Sequence, residues 1–154
     1  MIFDILTILE ILSSDKAKSM KSDFLKDVLG RQRAQGRTVS WHNTYKLARD
    51  LELIQKEHSK KTEYTTMTKK GESFYSMETN GKKLGKTQQE FIFRRCIIGN
   101  KKLPTINSFL NSCQINDNQI FQFSSDELGS NETLSLPNLE LLYELDVILV
   151  DKTM

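Results

Sequence analysis

The chain has 154 residues, of which 38% are apolar and 27% charged, with only 7 Gly and 2 Pro; that is the composition of one or two folded domains with their own core, and it excludes disordered and fibrous classes. Two cysteines, Cys96 and Cys113, with His42 and His58 far off in sequence, exclude a disulfide scaffold and offer no paired spacing for zinc, so neither a metal nor a cofactor is expected. The formal charge of +2 hides a polarity: residues 1–86 hold 17 Lys/Arg against 11 Asp/Glu, residues 87–154 hold 5 against 9, and residues 31–70 alone hold 10 against 4, which favours a polyanionic partner for the first half.

Apolar groups at Ile2, Ile5, Leu6, Leu9 and Leu12 follow one helical face, and Phe3, Ile8 and Ile11 widen it, so residues 2–12 are expected to form a helix buried on more than one side. Asp4 and Glu10, with no basic leader and no small-residue cleavage site, set this segment apart from a signal peptide. No run approaches the roughly 20 apolar residues of a bilayer span, and an intracellular, cytoplasmic protein without a membrane is expected. After the polar stretch Ser13-Ser14-Asp15-Lys16, a second helix is expected over 20–30, with Met20, Phe24, Leu25, Val28 and Leu29 as its apolar positions and Ser22 or Ser19 as its cap. The basic, glycine-interrupted run Arg31-Gln32-Arg33-Ala34-Gln35-Gly36-Arg37 ends it in a turn.

Ser40 opens a third helix over 40–51, in which Thr44, Leu47, Ala48 and Leu51 fall at i, i+3, i+4 and i+7 and face a core. At about 100° per residue the opposite face carries His42, Lys46 and Arg49, flanked by Asn43, Tyr45 and Asp50. These side chains suit phosphates and purine edges. Trp41 and Tyr45 flank that face, and for them packing against the neighbouring helix is expected over base stacking. Residues 53–57 and 63–67 read as two strands around the basic turn His58-Ser59-Lys60-Lys61. Leu9, Phe24, Leu25, Leu47, Leu51 and Ile54 are expected in one core.

Three helices followed by a basic hairpin is the order of a winged helix-turn-helix domain, and over about residues 1–77 the sequence resembles that superfamily. Leu47-Ala48-Arg49-Asp50-Leu51-Glu52-Leu53-Ile54 is similar to the end of a recognition helix entering the first wing strand. Tyr64-Thr65-Thr66-Met67-Thr68-Lys69-Lys70-Gly71-Glu72-Ser73-Phe74 resembles the phrase that closes many such domains. Glu52 departs from the pattern, since many members carry glycine there. Within the closing phrase Thr68 can cap a following helix, Tyr64 and Met67 can point inward, Phe74 can pack, and Gly71 either permits a close approach to the hairpin or is a tolerated helical glycine.

Residues 78–86, with two glycines and three lysines, read as a linker. Thr87-Gln88-Gln89-Glu90 is a capping box before a helix through Ile98, with Gly99 as its stop. Thr105 caps another helix, with Ile106, Phe109, Leu110 and Cys113 on one face, and both cysteines read as buried small hydrophobes. Residues 114–135 are polar apart from Ile120-Phe121-Gln122-Phe123. A helix over 136–145 and a strand over 147–150 echo the first half, so residues 87–154 are expected to be a second small helical domain or a degenerate second winged helix. Glu140 and Glu144 suit it to protein contacts rather than DNA.

No GxxxxGK[ST], GxGxxG, HExxH, CxxC or GxSxG motif is present, and Gly81-Lys82-Lys83-Leu84-Gly85-Lys86-Thr87 has one residue too few for a P-loop and no strand before it. The expected fold is mainly α with small β-hairpins (α+β), and the expected function is sequence-specific double-stranded DNA binding by a transcriptional regulator that is not an enzyme. His42, Asn43, Lys46 and Arg49 would address the major groove, Arg31, Arg33 and Arg37 the backbone at its entrance, and Lys60 and Lys61 the adjacent phosphates or minor groove. Residues 87–154 would supply a homodimer or partner surface. Two alternatives stay open: a protein-interaction adaptor of the same fold, and the DNA-recognition part of a larger restriction-type enzyme.

Overall fold

The computed structural model describes residues 1–32, 38–111, 114–115, 121–124, 136–146 and 148–151. The chain falls into two compact units, Met1–Gln88 and Gln89–Met154, and its architecture is α+β. In the first unit the order is α1 (Ile2–Ser13), β1 (Ser19–Lys21), α2 (Ser22–Gly30), α3 (Trp41–Asp50), β2 (Ile54–Ser59), β3 (Thr62–Met67) and α4 (Lys69–Ser76).

Along α1, Ile2, Ile5, Ile8, Leu9 and Leu12 are buried, together with Asp4. The helix packs on α3, α4 and β3, which explains why its apolar stripe is wide rather than narrow. Ser13 and Ser14 end it by donating to the Glu10 and Ile11 carbonyls at 2.7 and 2.6 Å, satisfying carbonyls that the last turn leaves unpaired.

The sequence pattern predicts a helix from residue 20, but residues 19–21 form the strand β1 instead. Its three residues pair antiparallel with β3, Ser19 opposite Thr66 and Lys21 opposite Tyr64, and give a sheet of order β1-β3-β2. α2 therefore starts at Ser22, and neither Ser19 nor Ser22 caps it; Ser22 turns its hydroxyl to Thr65 instead, at 2.8 Å. Ser22, Leu25 and Leu29 form the buried stripe of α2. Phe24 lies about 100° away from Leu25 around the helix and is 55% exposed, so its assignment to the core is corrected.

Ser40 holds the N-cap position of α3, yet its side chain makes no capping bond; its carbonyl accepts from the Thr44 amide and hydroxyl at 3.0 and 3.1 Å. The helix buries Thr44, Tyr45 and Ala48, continuing to Leu51, while Leu47 is half-buried. The stripe is thus rolled toward Tyr45, which belongs to the interior rather than to the edge of the outer face. At the C-terminus of α3 the Leu53 amide donates to Ala48 O and the Glu52 amide to Arg49 O, at 3.0 and 2.9 Å, with Glu52 at φ 63°. This is a Schellman closure with glutamate in the left-handed position that glycine usually takes.

The hairpin runs in full antiparallel register from Ile54 opposite Met67 to Ser59 opposite Thr62. The expected four-residue turn narrows to Lys60 and Lys61, at φ 52° and 68°, as a two-residue type I′ loop requires. Thr65 and Met67 are buried and Tyr64 is half-buried. An odd separation cannot share one strand face, so the pairing of Tyr64 with Met67 as inward residues is corrected to Thr65 with Met67. Thr68 caps α4 by accepting from the Gly71 amide at 3.0 Å. Gly71 is required by proximity: an added Cβ would lie 2.2 Å from the Leu53 carbonyl oxygen. Phe74 is fully buried.

Residues 78–86 are built into the first unit. Asn80 and Lys83 form a bridge around Gly81 at φ 61°, Leu84 is buried, and the fully buried Gln88 accepts from the Gly85 amide at 2.8 Å while donating to the Met77 carbonyl at 3.3 Å.

α5 (Lys86–Phe91) crosses the boundary and continues as a π-helical turn, Ile92–Ile97. In the second unit follow α6 (Pro104–Asn111), β4 (Gln114–Ile115), β5 (Phe121–Ser124), α7 (Leu136–Glu144) and β6 (Ile148–Asp151). Ile92, Phe93, Cys96, Ile97, Ile106, Phe109 and Leu110 are buried; Cys113 lies outside the described residues. Asn107 braces the turn before α6, donating to the Ile97 and Leu103 carbonyls at 2.9 Å each and accepting from the Gly99 amide at 3.0 Å. β5 pairs antiparallel with β4 but parallel with β6. A parallel partner reached through a helix is a crossover connection, not a hairpin, and the expected helix and strand near 136–150 are present as α7 and β6.

Candidate nucleic-acid interface

His42, Asn43, Lys46 and Arg49 are all exposed and occupy an arc of roughly 120° on α3, opposite the buried stripe. Arg31 is exposed at the C-cap of α2. The Trp41 indole N–H donates to the Gln32 carbonyl at 3.2 Å, which brings the end of α2, and with it Arg31, to the start of α3. Arg33 and Arg37 lie outside the described residues. Lys60 and Lys61 are exposed at the hairpin tip, about 20 Å along the strand from the end of α3 at 3.3 Å per residue.

The cations of this set differ from other lysines nearby. Lys18 pairs with Glu72 at 2.6 Å, Lys56 with Glu63 at 3.6 Å and Lys70 with Glu52 at 3.5 Å. Among the described residues, no ion pair holds Arg31, Lys46, Arg49, Lys60 or Lys61. Exposed pairs contribute little to folding, but an uncompensated cation keeps its full field for an external anion. α3 thus presents two cations, a histidine and an amide on one face, and the hairpin presents two more cations on a narrow tip.

Sequence reasoning missed what holds α3 from behind. Tyr45 Oη lies 2.7 Å from Thr65 Oγ1, which lies 2.8 Å from Ser22 Oγ, and Thr65 and Ser22 are buried. Lys56 Nζ stands 5.7 Å from the centroid of the Tyr45 ring. The Ser22 hydroxyl and the Lys56 ammonium hold the Glu63 carboxyl below its ordinary range, and His58 Nε2 lies 3.8 Å from the same carboxylate. The strand alternation that places Thr65 inward was the available signal.

Among the described residues, no group of His, Cys, Asp and Glu side chains is arranged to hold a metal, and no helix is long and apolar enough to cross a membrane. No family model, curated protein or solved structure matches the chain.

Proposed function

We propose that the first unit is a winged helix that binds double-stranded DNA in a sequence-specific manner, as a transcriptional regulator does. The observation that carries this reading is the exposed outer face of α3, where Lys46 and Arg49 have no acidic partner among the described residues. The sheet order β1-β3-β2 and a hairpin directly after α3 support it. In this arrangement α3 enters the major groove, Arg49 and Lys46 address guanine edges, Asn43 addresses adenine, and His42 lies beside them. Arg31 and the tip lysines contact phosphates, which supplies affinity without sequence information. The second unit supplies the contacts of a homodimer or a protein partner.

Titrating the full chain against a random duplex library at two salt concentrations tests this. Replacing Lys60 and Lys61 with alanine should weaken binding to all duplexes alike and reduce the log-log salt slope by about 2, since each lost phosphate contact releases roughly one counterion fewer. Arg49→Ala should instead reduce discrimination, by about 1 to 3 kcal/mol for a bidentate guanine contact. A wild-type protein with no preference among duplexes would overturn sequence-specific recognition and favour the adaptor reading.

A further inference from the structure

Within α3 the buried stripe has small side chains at Thr44 and Ala48 and a half-buried Leu47, and its large buried members are Tyr45 in the first half and Leu51 at the C-cap. Rotation is what a reading helix must not do. A roll of about 20° carries a side-chain tip about 5 Å from the axis through about 2 Å, enough to break a bidentate hydrogen bond. Tyr45, next to Lys46 and one turn before Arg49, is the bulky member of the stripe on the turn that carries Lys46, and it is tied to both strands of the hairpin. Its hydroxyl meets Thr65 on β3 at 2.7 Å, and its ring lies under Lys56 of β2 at 5.7 Å.

The hydrogen bonds continue beyond Tyr45: its hydroxyl oxygen lies 2.7 Å from Thr65 Oγ1, which lies 2.8 Å from Ser22 Oγ. Two bonds thus link three hydroxyls, and no buried side-chain polar atom is left without a partner among the described residues. The series ties α3 to β3 and, through Thr65, to α2 with directional contacts, which hold a narrower geometry than an apolar contact in the same place.

The geometry points to Tyr45 as a positioning residue for DNA recognition: through Thr65 and Ser22 it fixes the roll of α3 against the hairpin, and so the alignment of Lys46 and Arg49 with the Lys60-Lys61 tip. This rests on the DNA-binding reading. It adds that discrimination depends on a hydroxyl that never meets the DNA.

The test uses the full-length chain and one round of selection from a random duplex library with wild-type protein. Binding of Tyr45→Phe, Thr65→Val and Thr65→Ser to the enriched duplex and to a scrambled duplex is then measured by fluorescence anisotropy at two salt concentrations. Tyr45→Phe keeps the ring and its volume, so the scrambled duplex should bind within about twofold of wild type, with an unchanged salt slope because no cation is lost. The enriched-to-scrambled ratio should fall roughly fivefold, the equivalent of one buried hydrogen bond. Thr65→Val should match it, and Thr65→Ser, which keeps the hydroxyl, should restore wild-type discrimination. An unchanged ratio in Tyr45→Phe, or a parallel loss on both duplexes that tracks thermal stability, overturns the positioning role and leaves DNA recognition standing. A wild-type selection that enriches no duplex overturns both.

Discussion

The Thr68 hydroxyl donates to the Glu52 carbonyl oxygen at 2.6 Å, and the same oxygen atom of Thr68 accepts from the Gly71 amide at 3.0 Å. One side chain thereby joins the closure of α3 to the cap of α4. The bond uses the Glu52 backbone, which sits at φ 63°, so the geometry around Glu52 is fixed whatever side chain it carries. A non-glycine residue in that region costs about 1 to 2 kcal/mol.

Glu52→Gly is therefore expected to stabilise the first unit. Relief of the left-handed strain is offset by about 0.7 kcal/mol of added chain entropy in the unfolded state and by about 0.3 kcal/mol for the half-exposed ion pair with Lys70. The net gain is about 0.5 kcal/mol, or a rise in the Tm of this 88-residue unit of about 2 to 4 °C. A fall in Tm on calorimetry would mean that the Glu52 side chain contributes more than its pair with Lys70.

Gly71→Ala should act in the opposite sense although it replaces glycine with the best helix former. Propensity would favour alanine by about 1 kcal/mol. The new Cβ, however, would stand 2.2 Å from the Leu53 carbonyl oxygen and 2.9 Å from Met67 Cγ. The methionine can move, but the carbonyl belongs to the chain between α3 and β2 and cannot. Overpacking costs about 1 to 3 kcal/mol, and a 2.2 Å approach to backbone lies at the upper end, so a net loss of about 2 kcal/mol is expected in urea denaturation, and an unchanged midpoint would contradict the close approach.

Glu63 gives a prediction in pH. Its carboxyl is held below the ordinary value of 4.5 by the Ser22 hydroxyl and, after the opposing effect of burial, by the Lys56 and Lys26 charges. A group with a depressed folded pKa stabilises the fold above its unfolded value and loses that contribution as pH falls through the folded value. Wild type should therefore be more stable than Glu63→Gln at neutral pH, and the difference should shrink as pH drops below 4.5. A difference in Tm that stays constant down to acid pH would show that the carboxylate charge has no part in it.

Local chemistry made some of this fold legible and left other parts silent. Periodicity placed α1, α3 and the hairpin because each carries several apolar positions in one register, and Thr68 announced the cap of α4. β1 has one apolar residue in three and is a strand only because β3 lies beside it, which no local pattern records. Phe24 misled through its size, since the stripe of Ser22, Leu25 and Leu29 leaves it outside. The outer face of α3 followed from the inner one by geometry. Its bracing did not, because Tyr45, Thr65 and Ser22 are distant in sequence and meet only in the folded sheet. The parallel pairing of β5 with β6 was hidden for the same reason.

The hairpin tip offers a substitution in which folding and binding should move apart. Lys60 and Lys61 occupy the two central positions of a type I′ loop, both at positive φ, where Asn followed by Gly is strongly preferred. Lysine has no backbone advantage there, and two like charges side by side repel. Backbone strain at non-glycine residues is often found at positions kept for function, and Lys60 and Lys61, exposed and in no ion pair among the described residues, are the phosphate contacts of the proposed interface. Replacing the pair with Asn and Gly, as Lys60→Asn with Lys61→Gly, should stabilise the hairpin by about 0.5 to 1 kcal/mol and raise Tm. The same protein should bind random duplexes more weakly, with a log-log salt slope smaller by about 2. Discrimination among duplexes should be unchanged, because α3 and its brace are untouched. A variant that is more stable and binds as tightly as wild type, with the same salt slope, would remove the hairpin tip from the interface.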